Sequence, residues 1–154
     1  MKPNYIIIPL ITIAVAVIGS FLTSAGMDWY KTLNLPSLAP GGGFIGSVWT
    51  VIFILSTISV LIIWNSAPRT NLFWWIIGFF IVNAILNVLW SYIFFYSHNI
   101  GPSIIEMIIL EISVLGLCIL IWPYSRVASI LIWPYAIWVC FATYLAYNIW
   151  ILNK

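Results

Sequence analysis

The chain is expected to be an all-α membrane protein: a five-transmembrane-helix bundle with a long ordered loop between helices 1 and 2. Three observations predict it. Only 5% of the 154 residues are charged and 64% are hydrophobic, with a mean hydropathy of +1.16, whereas a water-soluble domain carries roughly 25% charged residues. The apolar residues fall in five runs, Ile6–Leu22, Phe44–Trp64, Leu72–Tyr96, Ile104–Trp122 and Val127–Leu152, each near the ~20 helical residues that cross a bilayer. The longest joint, Trp29–Trp49, is rich in Trp, Tyr, Leu and Pro, which suits an ordered cap better than a flexible linker. A single domain over residues 1–154 follows, without room for a soluble one.

The charges confirm the division. Lys2, Arg69 and Arg126 fall on one side of a five-span arrangement, Lys31 and Lys154 on the other. Positive charge favours the cytoplasmic side, so the N-terminus is expected there. A net charge of +2 argues against a nucleic-acid partner. Lys2 before the first run and Thr23-Ser24-Ala25 after it resemble the flanks of a signal peptide. The run exceeds the roughly 7–15 apolar residues of a signal core, however, so a spanning helix is expected.

Taken in order, the first span carries Ala16, Gly19, Ser20, Thr23 and Ser24, small residues that let helices approach closely in lipid. The second places Trp49, Phe53, Ser56 and Val60 on one stripe, and the joint Asn65–Asn71 with Pro68 is a turn between antiparallel neighbours. In the third, Asn83, Asn87, Trp90 and Phe94 share a stripe. Two amides facing lipid are costly, so they face the bundle. Both an interhelical bonding role and a polar wall inside a ligand pocket fit that placement.

The fourth span holds Glu106 in its first turns, within reach of interfacial water, and Glu111 about 13 Å deeper than Pro102 at ~1.5 Å per residue. With no Lys or Arg inside any span, Glu111 is expected to be uncharged. It serves either as a hydrogen-bonding group or, alternatively, as a proton-coupling site. The fifth span starts near Trp133-Pro134, with Tyr135, Trp138, Ala142 and Leu145/Ala146 on one stripe that narrows from large to small side chains.

Catalytic signatures are missing from this pattern. One histidine (His98, read as a solvated loop residue) and two isolated cysteines (Cys118 and Cys140) assemble neither a nucleophilic triad nor a metal cluster. Gly41–Gly43 lacks the Lys-Ser/Thr that completes a phosphate-binding loop. No metal and no required cofactor are expected. What remains is tryptophan, ten in all. Trp74, Trp75 and Trp150 suit membrane interfaces, while Trp49, Trp90 and Trp138 fall on inward stripes and offer flat faces to a large planar apolar ligand.

These residues resemble the TspO/MBR group, the tryptophan-rich sensory proteins related to the translocator protein. The matching pieces are Trp29-Tyr30 with Pro36 and Pro40, Phe44 to Val48-Trp49, and Asn83 with Asn87-x-x-Trp90-Ser91-x-x-Phe94-Phe95. Glu106, Pro134-Tyr135-x-x-Trp138, Phe141-Ala142 and Asn153 complete the series along essentially the full chain. The resemblance implies a five-helix bundle, commonly a homodimer, with the first loop closing over a central pocket. It implies binding of porphyrins such as protoporphyrin IX and, in some members, sterols such as cholesterol. Light-dependent degradation of the tetrapyrrole is described for some bacterial members. By carry-over, Tyr30, Pro40, Trp49, Asn83, Asn87, Trp138 and Ala142 line the site, joined by Phe53, Trp90 and Tyr135 from the stripes above. Trp49 and Trp138 would be the reactive rings. Transport of porphyrin or sterol, or sensing through a partner protein, are the alternatives.

Four departures stand out. Leu38-Ala39-Pro40-Gly41 replaces the family's Trp-x-Pro-Pro, Ala146 replaces an asparagine, and Glu111 occupies a position that is usually apolar or aromatic. The C-terminal sterol motif is not met, because too many residues separate Tyr147 from Lys154.

Overall fold

The computed structural model describes residues 2–154 and is all helical among them. Helix α1 (Asn4–Ala25) is followed by one short turn, α2 (Met27–Tyr30), and an irregular strap to α3 (Gly42–Ser66). Helix α4 (Asn71–Ser91) continues into a widened π-helical turn at Tyr92–Tyr96. Then come α5 (Ile100–Ile121), the short α6 (Arg126–Ile130) and α7 (Trp133–Leu152). Five stretches are long and apolar enough to cross a membrane: Asn4–Ala25, Gly42–Ser66, Asn71–Tyr96, Ile100–Ile121 and Arg126–Leu152. Their outer faces are apolar too, with Leu10, Val17 and Phe21 of α1 and Ile112 and Ile119 of α5 exposed. Such surfaces are stable against hydrocarbon and place the protein in the membrane as a multi-pass integral protein.

Helix α5 is the axis of the bundle, packed between α4 and α7. Its face Ser103, Glu106, Met107, Leu110, Ser113, Val114 and Leu117 is buried at helical spacing. Helix α1 lies at the edge and packs on α3, on α4 with its π-helical turn, and on the short α2. Its small-residue seam is used inside the chain, since a β-carbon on Gly19 would meet Ser91 Oγ at 3.6 Å.

Many of the hydroxyl side chains are satisfied locally, as lipid favours. Thr12, Ser47, Thr50, Ser66 and Thr143 each donate to the carbonyl four residues back. Thr70 caps α4 by accepting from Phe73 N–H, and Ser125 caps α6 by accepting from Ala128 N–H. Ser59 Oγ donates to Ala128 O at 2.8 Å and Ser129 Oγ to Cys118 O at 2.6 Å, so α6 is tied to α3 and α5. The fifth span is therefore broken at Leu131-Ile132, and Pro134, which lacks an N–H, sits in the first turn of α7.

Glu106 is more deeply buried than its place near the start of the helix suggests. Glu106 is 5% exposed with no hydrogen-bond partner on either oxygen, while Glu111 is only half-buried. Glu106 falls on the inward stripe of α5, and the strap lays a second layer over that end of the helix. Only the inward side of these first turns is covered, since Ile105 is 64% exposed.

The strap is docked along its length. Trp29, Tyr30, Leu33 and Ala39 pack on Phe94, Phe95, Met107, Leu145 and Ile149. Trp29 also stacks on His98 at 4.3 Å, so the histidine is an exposed ring partner held at φ 56°. Burial pushes the Tyr30 phenol up from its ordinary value, which keeps it neutral. Asn153 clasps the strap with both ends of its amide, accepting from Asn34 N–H at 2.9 Å and donating to Asn34 O at 3.0 Å. Where α1 ends, Gly26 presses on the widened turn, and a β-carbon there would lie 2.0 Å from Phe95 O. Gly26→Ala is expected to destabilise the protein by about 1–3 kcal/mol, as overpacking against backbone does. Thermal unfolding should show a lowered Tm, with hydrogen exchange raised most in residues 27–40.

Candidate functional site

A partly open, mainly apolar cavity of about 600 Å³ lies between α1, α3 and α4, within the size range of small-molecule sites. Ile7, Ile8, Ile11, Thr12 and Val15 of α1 form one wall. Phe53, Ser56, Val60 and Trp64 of α3 form the second, and Ile77, Phe80, Ile81, Asn83, Ala84 and Asn87 of α4 the third. Tyr135 of α7 reaches its inner end, and Pro3 and Asn4 stand at its outer end. Eleven residues of α1 separate Asn4 from Val15, so the cavity runs about 16 Å along that helix.

The inner end is polar because three helices meet there. Asn83 Nδ2 donates to Ser113 Oγ at 2.9 Å, and Asn87 Nδ2 donates to Tyr135 OH at 3.0 Å. Ser113 Oγ in turn donates to Leu110 O at 2.7 Å. These bonds join α4 to α5 and α7. They use the amide nitrogens, leaving the amide oxygens of two cavity-lining side chains available as acceptors.

The sequence-predicted residues divide into three groups. Phe53, Asn83, Asn87 and Tyr135 line the cavity. Trp49 stands one ring behind it, packed edge-on to Tyr135 at 5.8 Å and against Phe53 at 5.7 Å. Tyr30, Trp90 and Ala142 lie at the other end of the bundle, in the cluster beneath the strap. Trp90 is stacked on Phe94 at 5.5 Å and Phe94 meets Phe95 at 4.8 Å, so aromatic rings occupy the space directly under the strap. Pro40 is half-buried in the strap itself. Trp138 packs against Phe44 and Phe141, with its Nε1 buried and unpartnered. The cap is therefore present, but the cavity lies away from it, extending toward the end of the bundle that carries Pro3 and Asn4.

Sequence reasoning missed the α1 wall, Trp64 and Asn4. Ile7, Ile11 and Val15 recur at helical spacing, yet every residue around them is equally apolar, so no contrast marked the inward face. Tyr135→Phe removes the oxygen that Asn87 Nδ2 bonds. Expected is a loss of about 1–3 kcal/mol, the cost of an unpaired buried donor, measured as lowered thermal stability in detergent; Asn87→Leu with Tyr135→Phe should recover part of it.

Comparison with known proteins agrees with this architecture. The TspO/MBR family pattern matches residues 7–151. The chain is 34% identical to the tryptophan-rich protein TspO of Bacillus cereus, an alignment covering 99% of each. It is 32% identical to the tryptophan-rich protein TspO of Archaeoglobus fulgidus, covering 94% of this chain and 93% of that one. It is 24% identical to the human translocator protein, over 86% of this chain and 80% of that one. With a family pattern that takes in nearly every residue and relatives aligned from end to end, the chain belongs to the TspO/MBR family.

Proposed function

We propose that the protein binds a large apolar ligand of the porphyrin type within the membrane, in the cavity between α1, α3 and α4. One observation carries the reading: an apolar chamber of about 600 Å³ whose inner end gathers Phe53, Asn83, Asn87 and Tyr135. Apolar walls hold the body of the ligand, and a few convergent polar groups set its orientation. Membership in the TspO/MBR family supports the porphyrin class. Trp49 backs the inner wall through Tyr135 and Phe53. The strap-side residues Tyr30, Pro40, Trp90 and Ala142, together with Trp138, hold that end of the bundle in this reading.

Binding is favoured over photochemistry because neither Trp49 nor Trp138 reaches the cavity wall. Two measurements separate the readings. Titration of the purified protein with protoporphyrin IX in the dark, followed by tryptophan quenching, should saturate. Val60→Trp, which fills the chamber, should weaken binding at least tenfold, about 1.4 kcal/mol. Trp138→Phe should leave affinity within threefold. Under illumination, bleaching no faster than in empty micelles is expected. Saturable binding that survives Val60→Trp but is lost in Trp138→Phe would place the ligand elsewhere.

A further inference from the structure

The end of the bundle that carries the α3–α4 and α5–α6 turns holds two arginines without an acidic partner among the described residues. Arg69 is exposed in the turn after α3, yet its guanidinium is held in one place. Nη2 donates to Trp64 O at 2.7 Å, and Cζ lies 4.0 Å from the ring of the buried Phe73 and 4.8 Å from that of Trp64. The two rings meet edge to face at 5.7 Å, so the guanidinium rests against both. Its remaining N–H groups stay available as donors in a fixed fork.

The second arginine stands on a turn joined to the first. Thr70 and Tyr124 hydrogen-bond through their hydroxyls, which ties the α3–α4 turn to the α5–α6 turn. Arg69 precedes Thr70 and Arg126 lies just past Tyr124. Arg126 is exposed, with Cζ 5.6 Å from the ring of Trp122. Lys2 is exposed at this end too. The acids are elsewhere: Asp28 is paired with Lys31 beside the strap, and Glu111, the deeper acid of α5, is still about 15 Å of helix short of Ile121. Trp74, Trp75 and Trp122 are exposed here, as aromatic rings at headgroup depth are. Asn71, Trp74 and Trp75 line a shallow hollow of about 320 Å³ in the first turns of α4.

From this arrangement we infer that Arg69 and Arg126 form a binding site for the phosphodiester of an anionic diacyl phospholipid such as phosphatidylglycerol. A guanidinium fork matches two phosphate oxygens, and charge-assisted bonds of this kind are about twice as strong as neutral ones. The rings of Phe73 and Trp64 fix the Arg69 guanidinium in advance, which lowers the ordering cost of binding. The acyl chains lie along the apolar outer faces of the helices. An anionic lipid is favoured over a zwitterionic one because no carboxylate stands near to meet a choline or ethanolamine cation. Lys2 adds attraction for net negative charge. The site is independent of what the cavity holds.

Native mass spectrometry of the protein in detergent, titrated with dioleoylphosphatidylglycerol or dioleoylphosphatidylcholine, reads the preference. The wild type should bind its first phosphatidylglycerol at least tenfold more tightly than its first phosphatidylcholine. Arg69→Gln and Arg126→Gln should each reduce that preference to threefold or less. Arg69→Lys keeps the charge but loses the fork, and should reduce it as far as Arg69→Gln does. Lys154→Gln removes one cation from the strap end and should leave the preference within twofold of wild type. A general loosening of the fold lowers both affinities and leaves their ratio, so it does not mimic the expected result. Excess inorganic phosphate should not displace phosphatidylglycerol; displacement would make this a site for the free anion and overturn the lipid assignment. Equal affinity for the two lipids, a preference that survives any of the three arginine substitutions, or an equal loss in Lys154→Gln overturns the inference.

Discussion

Two asparagines one turn apart on α4 decide how this bundle is assembled. In hydrocarbon an amide without a partner is costly, and water is not at hand to supply one. Asn83 reaches Ser113 on α5 and Asn87 reaches Tyr135 on α7, so one helix is registered against two others at the same depth. Each bond contributes little net stability, on the order of 0.6 kcal/mol in membrane proteins. Their value lies in direction: apolar side chains tolerate many rotations of a helix in lipid, whereas these amides tolerate one.

The cavity follows from that registration. The amides tie α4 to α5 and α7, and α1 and α3, packed less closely on α4 than α5 is, enclose the space that the same amides line. Thr57 Oγ1 donating to Thr12 Oγ1 at 2.9 Å is a polar bridge between those two helices. Bulky residues of α3 and α4, Phe53 and Phe80 among them, hold the walls apart. At the other end Trp90, Phe94 and Phe95 stack beneath the strap and close the space. The chamber thus forms where packing is sparse, and the cap forms where it is dense.

Much of this was legible in the residues. Five apolar runs gave five spans, because lipid permits few other structures for such a chain. The stripe Trp49, Phe53, Ser56 and Val60 does face inward, three of its members onto the cavity. Asn83 and Asn87 bond across helices, and both side chains line the cavity. Depth along α5 was harder to read. Glu106 lies on the buried face of α5 beside Met107, which packs in one cluster with the strap residues Tyr30 and Leu33, and periodicity within α5 carries no trace of that layer. The inward face of α1 was equally hidden, since a helix apolar all round gives no contrast. Asn4 escaped notice for lying outside every apolar run, at an end where polar residues are ordinary.

The central claim is that the ligand chamber lies between α1, α3 and α4, away from the strap. A crystal structure of the protein with protoporphyrin IX tests it most directly. The account predicts the macrocycle in contact with Phe53, Val60 or Phe80. A macrocycle confined to the strap side, among Tyr30, Trp90 and Ala142, would contradict it.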